Sequence, residues 1–142
     1  MAVKQVSVFV ENKCGRAYSI IETLGENGIN ISALSIAETE DYGVMRLIVD
    51  DHKKAIDVLS ETGVIVKCTD VLAVPIEDKP GGLAKMLDII QRGGLSVIYM
   101  YAFTQKNNDD ALLVVKTKDI AKTAQVLEEN GVKPIEPNEI FG

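Results

Sequence analysis

The 142-residue chain has no tryptophan, one histidine, two cysteines and four prolines, and aromatic residues make up only 5% of it. Each scarcity removes a class of function. The single histidine, His52, leaves little side-chain capacity for proton transfer at neutral pH. Cys14 and Cys68 stand far apart and outside any CxxC spacing, which excludes a disulfide framework and suits reduced cytoplasmic thiols. Basic residues are in deficit: 15 Lys and Arg against 21 Asp and Glu give a net charge of −6. With so few aromatics, this argues against a nucleic-acid partner. No apolar run is long enough to span a bilayer, and the first ten residues lack a signal-peptide h-region. Patterns such as GxGxxG, HExxH and GxSxG are missing.

What the chain does have is a long internal repeat. Residues 6–32, VSVFVENKCGRAYSIIETLGENGINIS, return as residues 72–98, LAVPIEDKPGGLAKMLDIIQRGGLSVI. A shift of 66 places Glu11 on Glu77, Lys13 on Lys79, Gly15 on Gly81 and Gly28 on Gly94. A repeat of this length constrains the fold more than any single motif.

Residues 3–10 alternate, with Val6, Val8 and Val10 on one side and Gln5, Ser7 and Phe9 on the other, which predicts a strand. Ala17, Ile20, Ile21 and Leu24 form one helical face, closed by Gly25 and Gly28. Residues 30–37 alternate again, with Ile31, Ala33, Ser35 and Ala37 on one side, and residues 43–49 return as a strand. Asp51 can cap a second helix, and residues 64–68 begin a fourth strand. Thr69-Asp70 is the only polar break before the second copy. That copy repeats the order: strand 71–76, turn 77–82, helix 83–92, strand 95–103 and a closing strand 132–140. Pro134 and Pro137 put the closing strand at a sheet edge, and Pro75 belongs at a bulge or where the sheet runs out. Tyr99, Tyr101 and Phe103 share a face with Val97 and read as an interface. The expected fold is α+β: two ferredoxin-like βαββαβ domains, residues 1–69 and 70–142, as antiparallel sheets with helices on one face.

With both copies laid out, the chain resembles a tandem pair of ACT domains, the small-molecule regulatory modules of amino-acid metabolism. The likeness rests on the βαββαβ order, the turns ENKCGR and EDKPGG, and the segments GINIS and GLSVI that begin the second strands. Asp78-Lys79-Pro80-Gly81 matches the family's D-x-P-G turn in full, while Asn12-Lys13-Cys14-Gly15 departs at Cys14. The resemblance implies domains that pair side by side through their second strands and hold an amino acid between them. It implies ligand contacts from Asn12 and Asn30 in the first copy and from Asp78 and Ser96 in the second. It further implies no cofactor, no metal and no catalysis. The implied protein is a cytoplasmic homo-oligomer, a dimer, that binds a free amino acid and acts on a partner enzyme in trans, without nucleic acid or membrane.

The residues give that site a physical reason. Backbone N–H groups near Gly15 and Arg16, and near Gly81, Gly82 and Leu83, stand at helix starts that favour a carboxylate. Asn12 offers both a donor and an acceptor, whereas ionised Asp78 only accepts, so the two copies form unequal sites, Asn12 facing Ser96 and Asp78 facing Asn30. Asn12 and Asp78 also suit a ligand-free turn, Cys14 suits either a reactive thiol or a stand-in for proline, and Arg16 suits a solvated helix start. Two rival readings stay open at this point. One is an assembly module without a ligand; the other is an acylphosphatase-type enzyme on the same architecture, using Arg16 and Asn30.

Overall fold

Alternation and helical spacing resolve into eleven elements in the computed structural model, which describes residues 2–11, 15–38, 41–104 and 111–141. The chain divides into two compact units, Lys4–Thr69 and Asp70–Gly142 together with Met1–Val3.

The first unit is built from β1 (Val3–Glu11), α1 (Arg16–Glu26), β2 (Ile31–Glu38), β3 (Tyr42–Val49) and α2 (His52–Glu61). Its strands lie antiparallel in the order β2-β3-β1. Val6, Val8 and Val10 point to the same side as Met45, Leu47 and Val49, and against them pack Ile20, Leu24, Ala55 and Leu59 from the two helices. Both helices therefore cover one face of the sheet. On the opposite face Gln5, Ser7, Ala33 and Ile48 are buried as well.

The second unit repeats this plan with α3 (Gly82–Arg92), β5 (Val97–Thr104), β6 (Ala111–Thr117) and α4 (Ile120–Glu129). Its first strand lies in β4 (Ile65–Ile76), and the order is β4-β6-β5, again antiparallel. Leu72, Val74, Leu113 and Val115 meet Met86, Ile89, Ile90, Ala124 and Leu127 in the core. Beneath α4 two fully buried threonine hydroxyls, of Thr117 and Thr123, satisfy one another at 2.6 Å.

The strands depart from the sequence reading at four places. Thr69-Asp70 does not break the chain's extended path, and β4 runs through it for twelve residues. Neither residue is Gly or Pro, so nothing forces a turn there. Residues 132–136 are irregular, and Pro137–Phe141 forms a short helix, α5, in place of a closing strand. Prolines 134 and 137 bring no N–H to a ladder, and proline suits the first turn of a helix. Ile135 still donates its N–H to Ala73 O at 2.9 Å. The register slips between Ile31 and Ala33 and between Val97 and Tyr99, one extra residue in each second strand. An odd residue reverses the facing of everything beyond it. Ile31 and Val97 thus face the helices, while Ala33, Ser35 and Ala37 in one strand and Tyr99, Tyr101 and Phe103 in the other face away. The three aromatics do not share a face with Val97. Pro75 pairs with Leu112 without a slip, one residue before β4 ends, where the sheet runs out.

Candidate functional site

Two of the helices begin on a carboxylate and two on a glycine. Asp51 Oδ1 accepts from the Lys54 N–H at 3.1 Å at the start of α2, and Asp119 Oδ1 from the Lys122 N–H at 3.0 Å at the start of α4. Helices α1 and α3 instead start from Gly15 (φ 84°) and Gly81 (φ 89°), both left-handed, with no side chain to cap and no acid in the first turn. A left-handed bend at this point costs a residue with a Cβ about 1–2 kcal/mol, which accounts for the glycine in both copies. The positive end of each of these dipoles thus lacks the carboxylate that an aspartate cap supplies to α2 and α4.

The two turns differ in what surrounds the glycine. In the second unit the Lys79 N–H donates to Glu77 O at 2.9 Å and the Gly82 N–H to Lys79 O at 3.1 Å. Lys79 Nζ sits 2.5 Å from Glu77 Oε2. The hydrogen bond from Lys79, followed by its charge, holds the Glu77 carboxyl below the usual range, and Glu77 in turn raises the Lys79 ammonium. Gly82 packs against the Glu77 carbonyl so closely that a Cβ there would lie 2.3 Å from the oxygen. The repeat puts Arg16 at that position in the first unit. A residue with a side chain cannot follow the path that Gly82 takes. Arg16 reaches Glu11 at 3.9 Å with both side chains half exposed, a weak contact.

Asn12 and Cys14 lie outside the described residues. Of the remaining candidates, Gly15 and Arg16 stand together at one end of the first sheet, the end where Glu11 pairs with Tyr42 and Glu38 with Gly43. Asn30 stands at the other end, just before Ile31 pairs with Val49. Eight residues of strand separate the two ends, roughly 25 Å at about 3.3 Å per residue. Asn30 is tied there through its backbone: its N–H donates to Asp50 Oδ1 at 3.1 Å, and its carbonyl accepts from the Asp50 N–H at 3.2 Å.

The second unit splits in the same way. Asp78, Gly81, Gly82 and Leu83 lie where Ile76 and Thr104 pair with Ala111, and Ser96 lies at the far end beside the Val97–Thr117 pair. Leu83 is 38% exposed and takes no part in the core of α3, which Met86, Ile89 and Ile90 supply. Within each unit, then, the helix-start candidates come together and the second-strand candidate does not join them. Glu77 and Lys79 frame the turn although neither stands among the residues the sequence singles out for the site. Their signal lies in the repeat, where they match Glu11 and Lys13.

Among the described residues, no group of three or more His, Cys, Asp or Glu is placed to hold a metal ion, and no helix is long and apolar enough to cross a membrane.

A family model described as an ACT domain pair matches residues 1–141. The crystal structure of protein BT0572 from Bacteroides thetaiotaomicron is 37% identical, covers 99% of this chain and 96% of its own, and superposes with a TM-score of 0.91. The ligand-free regulatory subunit of aspartate kinase from Thermus thermophilus shares the fold at 14% identity, over 89% of this chain and 91% of its own, with a TM-score of 0.65. The corresponding subunit from Thermus flavus does so at 14% identity over 89% and 90%, with a TM-score of 0.60. No curated protein matches the chain.

Proposed function

The chain belongs to the ACT domain pair family, and on that premise we propose that it binds a free amino acid and thereby regulates a partner enzyme in trans, without catalysis of its own. The observation that carries this reading is the repeated helix start. Gly15 and Gly81 open α1 and α3 without a carboxylate, while aspartates cap α2 and α4. A ligand carboxylate at such a start takes the place that the aspartate side chain holds elsewhere. Asn12 and Asp78 are the side chains nearest in sequence to receive the ammonium. Each unit carries its second-strand candidate at the far end of its own sheet, so a ligand at one turn draws its second contact from outside that unit. Regulation follows when the ligand binds two arrangements of the protein with different affinity.

The same reading makes the protein a cytoplasmic homodimer with two unequal turns. Arg16 in place of Gly82 supports the inequality.

A thermal-shift screen of the twenty amino acids tests the proposal. One of them, at about 100 times its dissociation constant, stabilises the fold by roughly 2.7 kcal/mol. Calorimetry on Asn12→Ala and Asp78→Ala, taken separately, then shows a larger loss for one than for the other. No shift with any amino acid at millimolar concentration overturns the sensor reading in favour of an assembly module, and equal losses overturn the inequality.

A further inference from the structure

We draw no further inference here: the strongest candidate, the exposed apolar pair Leu34 and Ile36 on edge strand β2 of the first unit, belongs to the dimer already proposed, and nothing in the structure shows what covers it.

Discussion

At Gly82 the backbone of α3 lies against the Glu77 carbonyl, where an added methyl would sit 2.3 Å from the oxygen. The obstacle is main chain held by two turn hydrogen bonds, so it cannot swing aside as a side-chain tip would. Gly82→Ala therefore destabilises by about 1–3 kcal/mol, the usual cost of forcing atoms into packed space. At Gly25, in α1, an added methyl would meet nothing within 4 Å, and the backbone there is ordinary helix. Gly25→Ala stabilises by roughly 0.5–1 kcal/mol through helix propensity. Chemical unfolding of both variants checks the pair of signs. Beside Gly82, the Glu77–Lys79 contact makes a pH prediction. A carboxyl held low favours the fold above its unfolded pKa and loses that effect as pH falls through its folded pKa. An ammonium held high favours the fold below its unfolded pKa and loses it as pH rises through the folded one. The contact thus acts across the neutral range and fades at both extremes. Both side chains are well exposed, so the effect is small and screened by salt. Melting curves of Glu77→Gln should fall slightly below the parent at neutral pH and low salt, and meet it once the carboxylate is protonated or salt is high.

The aspartate caps show how far element boundaries were legible. Asp51 before a run of helical spacing marked the start of α2, and its carboxylate does accept the Lys54 N–H. Its counterpart Asp119 caps α4 in the same way. Asp51→Ala and Asp119→Ala each cost about 0.5–2 kcal/mol, measured as a lower denaturation midpoint at unchanged slope. The strands were harder to read for a definite reason. Alternation predicts facing only while the count stays even, and a bulge adds one residue without altering composition. Ser32 and Ile98, which the 66-residue shift superimposes, sit at the two slips, yet one is polar and the other apolar. The face of Ile31 and of the three strand aromatics was therefore lost to the sequence, although the strands themselves were plain. The closing strand failed differently. Residues 132–140 carry strand-forming valine and isoleucine, but two prolines remove the donors a ladder needs, and the absent N–H groups outweigh local propensity. At the site, the repeat revealed the glycine helix starts. That Gly82 is a packing requirement depends on the position of one carbonyl, which no residue pattern encodes.

For the molecule as a whole, the edge strands carry the prediction about assembly. Beyond the helices that cover each sheet, β2 leaves Leu34 and Ile36 at 45% and 48% exposure, and β5 leaves Ile98 and Met100 at 54% and 38%. Leu34 and Ile36 pair with Leu47 and Met45, so they stand on the helix side of the first sheet, as Met100 does opposite Val115 in the second. A terminal strand with an apolar row is a template for another strand unless charge or a bulge blunts it. Here a bulge marks only the first residues of each strand; Ile98 sits in it, while Leu34, Ile36 and Met100 lie past it. A dimer formed along either edge covers that row and extends the sheet by backbone hydrogen bonds. Ile36→Lys and Met100→Lys place a charge in each row at positions that are themselves exposed. Size-exclusion chromatography with light scattering should give twice the 15.4 kDa chain mass for the parent. The variant at the edge in use should run as a monomer with an unchanged circular dichroism spectrum. A monomeric parent, or two variants that both stay dimeric, rules out dimerisation through these strands. If amino-acid binding then survives in the monomeric variant, the ligand contacts come from one chain; if it is lost together with the dimer, a second copy supplies part of them.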